Sequence, residues 1–167
     1  SVGSTMGFSA LDGMPMGTRC GQLDPGVLLH LMSEGMDAEA ITRLLYKESG
    51  LKGLSGISHD MRTLLASDSN NAAEAVDYYV FRLSREVGAM AAVLGGLDAL
   101  VFTGGIGENS PDIRARALET LGFLGLAVAP DANAANATRI DTGPVPILVI
   151  PTDEERVIAR ATAAALS

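Results

Sequence analysis

Apolar positions in this chain recur at helical spacing in one long segment and form short uninterrupted runs elsewhere. Between residues 71 and 94 they return every three or four positions, which predicts a long helix with a continuous buried stripe, ended by Gly95-Gly96. The stripe consists of Val76, Tyr79, Val80, Leu83, Val87, Met90, Ala91 and Leu94. The apolar runs at 99–103, 125–129 and 145–150 predict short buried strands.

Capping residues and glycines predict the remaining helices. The predicted spans are 24–33, 37–49, 60–66, 111–121 and 153–166, the first beginning at Asp24-Pro25 and the second ending at Gly50. Residues 1–9 are predicted to be extended, 10–23 a loop, 51–58 an irregular connection and 132–136 a surface connection. From residue 71 the order is helix, strand, helix, strand, strand, helix, which predicts an α/β layer fold.

Composition narrows the function classes. With 167 residues the chain has the size of one domain, and 47% hydrophobic residues are enough for a core. A net charge of −8 argues against nucleic acid or an anionic membrane as partner. Charged residues make up only 19%, which suggests a surface buried against something else. The first residues contain neither an initiator Met nor a signal peptide, so we expect the chain to be cut from a longer protein.

Cysteine content and apolar run length add two expectations. Cys20 is the only cysteine, so no internal disulfide can form and a reducing compartment is favoured. Cys20 could be a nucleophile, or a small buried residue or bystander. No apolar run reaches the ~18 residues that a transmembrane helix needs.

The run from 100 to 111 places glycines between an apolar strand and the start of a helix. The glycines at 104, 105 and 107 permit backbone angles closed to other residues and let a ligand approach the main chain. Ser110-Pro111 suits an N-cap and first turn, where free N–H groups attract an anion. The spacing is neither a Rossmann fingerprint nor a P-loop, and an ordinary strand-to-helix turn explains the glycines as well.

Three further polar clusters lie at element junctions, each with a structural and a functional explanation. Arg19 in the first loop could hold a phosphate or carboxylate, or could be solvated. In the second cluster, Asp60 could cap its helix or bind a ligand hydroxyl, Arg62 could flank a nucleotide, and His59 could be a turn residue or a catalyst. The carboxylates at 153–155 could favour a helix dipole or hold Mg²⁺. Together these parts are typical of phosphoryl transfer.

Taken in order, these segments resemble the acetate kinase family. Residues 4–13, followed by Met16-Gly17-Thr18-Arg19-Cys20-Gly21, are similar to its second signature. Asp24-Pro25 and the segments 56–62, 102–110 and 150–155 match the same family in the same order. The resemblance covers essentially the whole chain, and several motifs of this length in this order are specific.

The resemblance implies an α/β, ribonuclease-H-like fold of the actin and hexokinase ATPase type. Residues 1–167 would form its C-terminal nucleotide-binding domain, incomplete because the first strands are missing. The implied reaction is reversible phosphoryl transfer from ATP to acetate, giving acetyl phosphate and ADP, with Mg²⁺ as metal. By position, Arg19 would be the catalytic arginine, and Glu154 would hold Mg²⁺ in preference to Glu155. The residues lining the nucleotide would be Asp60, Met61, Arg62, Gly105, Ile106, Gly107, Glu108 and Asn109.

Departures from the family pattern are of two kinds. Gly3-Ser4, Asp12 and Asp153 replace Asp-Thr, Glu and Asn, outside the assigned roles. The larger departure is that the N-terminal domain, with the acetate pocket and further catalytic groups, is missing. The alternatives are a propionate or butyrate kinase, a non-catalytic nucleotide-binding remnant, or a dimerisation fragment. The resemblance implies a cytoplasmic location, and we expect ATP, acetate, the missing domain and a second copy as partners.

Overall fold

In the computed structural model of the chain, which describes residues 1–166, the backbone forms two compact units. The first comprises Ser1–Gly96 and the second begins at Leu97. The interpretation of residues 1–167 as one C-terminal nucleotide-binding domain stays a prediction.

The first unit is helical after a loop of 24 residues without regular structure. Its helices are α1 (Pro25–Ser33), α2 (Ala38–Lys47), α3 (Gly50–Ser55), α4 (Met61–Leu65) and α5 (Asn70–Leu94). The N-cap predicted at Asp24 and the capping interpretation of Asp60 are confirmed, because each side chain accepts a backbone N–H of the first turn. Asp37, where the second helix was predicted to begin, caps α2 in the same way.

Helix α3 corrects the prediction that residues 51–58 are irregular. Gly50 adopts a φ of +62°, so it reverses the chain directly after α2 instead of only ending that helix. The new helix runs until Gly56, which is also left-handed. With two glycines in six residues, α3 has a low intrinsic helix propensity, so the sequence did not indicate a helix here. Its packing against α5 stabilises it.

The continuous buried stripe predicted for α5 is only partly present. Val76 and Ala91 are buried, but Leu94 is 56% exposed and the other predicted members lie between these extremes. The most buried side chains of α5 are instead the short ones of Ala72 and Ala75, and both α3 and α4 pack against this helix. Small residues allow helices to approach closely, which apolar periodicity alone does not reveal.

The second unit is built on a two-stranded parallel sheet. Strand β1 (Leu100–Phe102) pairs with β2 (Ile147–Val149) in the register Leu100 to Ile147. The helices are α6 (Gly104–Asn109), α7 (Pro111–Glu119), α8 (Pro130–Ala134) and α9 (Glu154–Ala165), with a 3-10 turn at Gly122–Leu124. Because the strands are parallel, the segments after β1 and β2 leave the sheet at the same edge.

Three predictions for the second unit are wrong. The expected strand at 125–129 is absent, because Gly125 is left-handed and only one antiparallel bridge, Val128 to Asp141, comes after it in that segment. The expected glycine turn after β1 is the short helix α6. The expected surface connection at 132–136 overlaps α8. Asn133 in this helix is only 4% exposed, because its side chain forms hydrogen bonds inside the unit.

Helix α9 contrasts with the rest of the second unit. The core of this unit contains Ile113, Leu118, Ile140 and Ile147, all less than 5% exposed. Helix α9 adds no buried side chain to it. Within residues 1–166, no helix is long and apolar enough to cross a membrane.

Candidate functional site

The turn that carries Arg19 is fastened to the beginning of α3. The backbone N–H groups of Ser49, Leu51 and Lys52 donate to the carbonyls of residues 18, 16 and 17 at 3.1, 3.0 and 2.9 Å. The first N–H groups of a helix have no partner within it, so the start of α3 offers donors for another segment. The turn before Arg19 therefore rests on a helix that was not predicted from the sequence.

Two glycines make this close contact possible. A Cβ at Gly50 would lie 2.1 Å from the Met16 carbonyl oxygen, which excludes any side chain there. A Cβ at Gly17 would lie 3.0 Å from the carbonyl oxygen of His59. The Arg19 turn and the segment leading to Asp60 are thus neighbours in the first unit, although about forty residues separate them.

The guanidinium of Arg19 is partly exposed. One of its nitrogens lies 3.5 Å from the Met16 sulfur, and no carboxylate of the described residues pairs with it. Its planar fork of donors remains available to an anionic ligand such as a phosphate.

Asp60 caps helix α4 and is also partly exposed, so its capping role leaves it accessible to a ligand. Its carboxylate accepts the backbone N–H of Arg62 at 2.9 Å and pairs with the Arg62 guanidinium at 2.6 Å. The side-chain hydrogen bond from Arg62, and then the backbone one, lowers the pKa of Asp60 to about 2. Asp60 is therefore ionised at neutral pH and serves at least as a helix cap.

The other residues near this segment differ in accessibility. Met61 is 5% exposed, so the structure places its side chain in the core of the first unit. The side chain of Arg62 is 88% exposed. His59 and His30 are also exposed. Of the predicted nucleotide-lining residues in this unit, Asp60 and Arg62 thus have accessible side chains, whereas Met61 is buried.

Arg82, for which no role was predicted from the sequence, holds the two ends of the loop that contains Arg19. Its Nη2 donates to the Gly13 carbonyl at 2.8 Å, and the backbone N–H of Gln22 donates to the same oxygen at 2.8 Å. Its Nη1 donates to the Tyr78 hydroxyl at 3.0 Å. The feature that could have indicated this role is an arginine close to the apolar stripe of a long helix. A buried charge there needs hydrogen-bond acceptors.

Cys20 lies beside Arg19 but has the properties of a structural residue. Its thiol is partly buried and donates to the Gly21 carbonyl at 3.1 Å. Burial raises the pKa of Cys20 above its ordinary value. A raised pKa keeps the thiol protonated, which disfavours the nucleophile interpretation.

Glycine conformation shapes the segment after β1. Gly104 has a φ of +74°, which turns the chain from the strand into α6. A Cβ at Gly107 would be in contact with Phe102 of β1, whereas Gly105 faces open space. The Asn109 amide donates to the Gly105 carbonyl at 2.9 Å. Ser110 occupies the predicted N-cap position of α7, but its side chain makes no capping hydrogen bond.

Glu108 connects this segment to the one after β2. One carboxylate oxygen accepts the backbone N–H of Gly104 at 2.7 Å, the backbone N–H of Thr152 at 2.9 Å and the Thr152 hydroxyl at 3.0 Å. Hydrogen bonds from Thr152, and then from Gly104 and Thr103, lower the pKa of Glu108. The carboxylate is thus held in its ionised form between two segments 44 residues apart.

Arg114 supports the other end of α6 from inside the unit. It is 0% exposed, and its Nη1 donates to the carbonyls of Gly107 and Glu108 at 2.8 and 3.0 Å. Its other nitrogens donate to Asn133 and Asn136. No pattern in the sequence indicated this role, because Asn133 and Asn136 lie in the stretch predicted to be a surface connection.

Glu154 begins α9 and is exposed. The side chain of Asp153 accepts the backbone N–H of Arg156 at 3.1 Å and caps the helix. In residues 1–166, no group of three or more His, Cys, Asp or Glu side chains could hold a metal ion. A single accessible carboxylate still fits Mg²⁺, which is held by one or two carboxylates with phosphates and water as its other ligands.

The structure therefore brings the four predicted clusters together in pairs. The Arg19 turn and the Asp60 segment adjoin in the first unit, and the α6 segment and the Glu154 segment adjoin in the second. The first pair offers an accessible guanidinium and the second an accessible carboxylate beside a glycine segment. An expected meeting of Asp60–Arg62 with the glycine segment concerns different units and stays a prediction.

Comparison with known proteins decides the family. The Acetokinase family matches the chain over residues 1–160. The chain belongs to this family. An acetate kinase of Methylocella silvestris is 59% identical over 169 aligned residues, and one of Rhodopseudomonas palustris is 57% identical over 165. These alignments cover 99% and 96% of this chain but only 42% of each relative.

Solved structures of an acetate kinase and a propionate kinase agree with this fold. The crystal structure of Porphyromonas gingivalis acetate kinase has a TM-score of 0.90 at 38% identity, covering 98% of this chain and 43% of that one. A propionate kinase from Francisella tularensis has a TM-score of 0.87 at 37% identity, covering 93% of this chain and 41% of that one. The resemblance and the α/β fold of the actin and hexokinase type are thereby confirmed.

Proposed function

We propose that this chain is the C-terminal, nucleotide-side part of an acetate kinase, which transfers a phosphoryl group reversibly from ATP to acetate. The observation that carries the proposal is the sheet edge where Glu108 joins the glycine segment to the segment bearing Glu154. A glycine segment beside an accessible carboxylate at the end of a strand suits a nucleotide phosphate with Mg²⁺. Curated relatives at 59% and 57% identity are named acetate kinase.

The proposed roles rest on accessible groups, with the exception of the buried Met61. Arg19, whose fork has no carboxylate partner among residues 1–166, would stabilise charge on the transferring phosphoryl group. The residues proposed to line the nucleotide are Asp60, Met61, Arg62, Gly105, Ile106, Gly107, Glu108 and Asn109. Glu154 would hold Mg²⁺, which neutralises phosphate charge.

Acetate is the proposed acyl substrate, and propionate is the second candidate because a propionate kinase is a structural neighbour. The test is to express the full-length protein and measure acetyl phosphate and ADP formation from ATP, Mg²⁺ and acetate. A higher kcat/KM for acetate than for propionate supports the proposal, and the reverse order replaces acetate with propionate. Absence of acyl phosphate with either acid contradicts the proposed function and favours a non-catalytic nucleotide-binding protein.

The purified 167-residue chain by itself should show negligible kinase activity. It spans 42% of the length of its acetate kinase relatives, and phosphoryl transfer depends on the joint placement of groups from both sides of the site. The measurement is acetyl phosphate formation by the chain, purified from a host lacking its own acetate kinase, beside the full-length protein. Turnover by the chain approaching that of the full-length protein would show that it contains a complete site.

Replacing Glu154 with alanine in the full-length protein should raise the Mg²⁺ concentration needed for half-maximal rate. The carboxylate is exposed and is assigned to the metal, so its loss should weaken metal binding about tenfold or more. Initial rates are measured against Mg²⁺ at saturating ATP. Glu155→Ala is the matched control, and equal Mg²⁺ curves for the parent and Glu154→Ala would remove Glu154 from the metal site.

We also propose that the full-length protein acts in the cytoplasm as a homodimer. The low charged content of 19% supports a partner surface, as does α1, which has no buried side chain although Leu29 and Met32 are apolar. Light scattering of the purified full-length protein measures its mass, and a monomer at micromolar concentration would contradict the dimer.

A further inference from the structure

We propose that Glu108 is a positioning residue. Its carboxylate would fix the position of the segment after β2, which contains Thr152 and Glu154, and its main role would not be direct contact with the nucleotide. The inference rests on the proposed function and deepens it. It concerns the Glu108 clasp, which we define as the hydrogen bonds from Gly104 and Thr152 to one carboxylate oxygen of Glu108.

The backbone of Glu108 is anchored from the interior. The fully buried guanidinium of Arg114 donates to the Glu108 carbonyl and to that of Gly107. The position of Glu108 is therefore fixed by the core of the second unit, and its side chain extends from a rigid base.

The carboxylate reaches the neighbouring segment through two different donors of one residue. Thr152 donates both its backbone N–H and its hydroxyl, at 2.9 and 3.0 Å. A charged acceptor with two donors on one residue restricts that residue's position and orientation more than a single neutral bond does. The parallel pairing ends just before this point, where Ile150 donates its N–H to the Phe102 carbonyl at 2.9 Å.

Packing does little to place the chain after Thr152. Every described side chain of α9 is exposed, and Glu154 is its first residue. Because α9 buries no face against the second unit, that unit positions the start of α9 through the chain that enters the helix. The Glu108 clasp ties this entry to the glycine segment. Loss of the clasp should therefore move Glu154 relative to that segment without unfolding the unit.

The first test needs neither metal nor nucleotide. Amide hydrogen exchange is measured in the full-length protein for the parent, Glu108→Ala and Thr152→Val. We expect the Thr152 amide to exchange about tenfold faster in Glu108→Ala, because it loses a charged acceptor. Glu119→Ala removes an exposed carboxylate of α7 and is the control. Parental exchange at Thr152 in Glu108→Ala would overturn the proposal.

The second test measures the Mg²⁺ dependence of the rate and the KM for ATP. We expect Glu108→Ala to raise the Mg²⁺ requirement about tenfold and Thr152→Val to raise it less, since Val keeps the backbone donor. Thr152→Ser retains the hydroxyl and should stay close to the parent. The double variant Glu108→Ala/Thr152→Val should raise the Mg²⁺ requirement by less than the product of the two single effects, because both substitutions remove the same contact.

The outcomes separate this inference from the proposed function. If the parent forms no acyl phosphate, the proposed function fails, while the exchange experiment still tests the clasp. If the parent is active and Glu108→Ala raises only the KM for ATP, Glu108 is a nucleotide contact and the positioning role is overturned. Faster exchange with an unchanged Mg²⁺ requirement would overturn it as well. Equal thermal unfolding of all variants shows that the effects do not arise from unfolding.

Discussion

Replacing Arg19 with alanine in the full-length protein should lower kcat about 10³-fold, with a smaller change in the KM for ATP. An arginine that neutralises transition-state charge in phosphoryl transfer contributes about 10³–10⁵ in rate. Loss of a ground-state contact would mainly raise KM instead. The Arg19 guanidinium has no carboxylate partner among the described residues, so it is available for this role.

The measurement is initial rate against ATP and acetate for Arg19→Ala and Arg19→Lys. Lysine should restore only part of kcat, because it keeps the charge but loses the bidentate fork. Arg43→Ala is the matched control, since Arg43 is exposed and pairs with Glu48 on the surface. A kcat for Arg19→Ala within a few-fold of the parent would exclude the catalytic assignment.

Replacing Arg114 with alanine should lower the free energy of unfolding by about 3–5 kcal/mol, mainly in the second unit. The substitution both creates a cavity and removes hydrogen bonds from backbone carbonyls. The residue is 0% exposed, and its loss leaves a cavity and removes a donor from the carbonyls of Gly107, Glu108 and Asn133. Burial also lowers the pKa of Arg114, as is expected for a charge removed from water, where hydrogen-bond acceptors become necessary.

Thermal and denaturant unfolding of the full-length protein measure this effect. Lysine should not restore stability fully, because one ammonium cannot reach acceptors on both α6 and α8. Arg160→Ala is the control, as Arg160 lies on the exposed surface of α9. Unfolding of Arg114→Ala at the parental midpoint would show that water or neighbouring groups replace its hydrogen bonds.

The local features of the fold could be predicted from the sequence. Asp24 and Asp60 cap helices as expected, because a capping side chain bonds to N–H groups only two or three residues away. The strands at 100–102 and 147–149 correspond to short apolar runs, and their parallel pairing agrees with the predicted α/β fold. The residues of the candidate site were also visible, since their motifs are contiguous in the chain.

The features that sequence reasoning missed depend on contacts between distant segments. Helix α3 contains two glycines, and its first N–H groups bond to the Arg19 turn, which propensity does not record. Arg114 looks like a surface residue of an amphipathic helix until Asn133 is known to be inside. Glu108 belongs to a glycine motif, but its carboxylate points to Thr152, 44 residues away.

The sequence by itself therefore determined the family, helix caps, the two strands and the residue types of the proposed phosphate and metal site. Short-range hydrogen bonds and apolar runs encode these features within a few positions of each residue. Only the tertiary structure decided which charged groups are buried and which segments they hold together. The free energy of a buried arginine or an anchored carboxylate depends on the partners that folding brings to it, and those partners are remote in the chain.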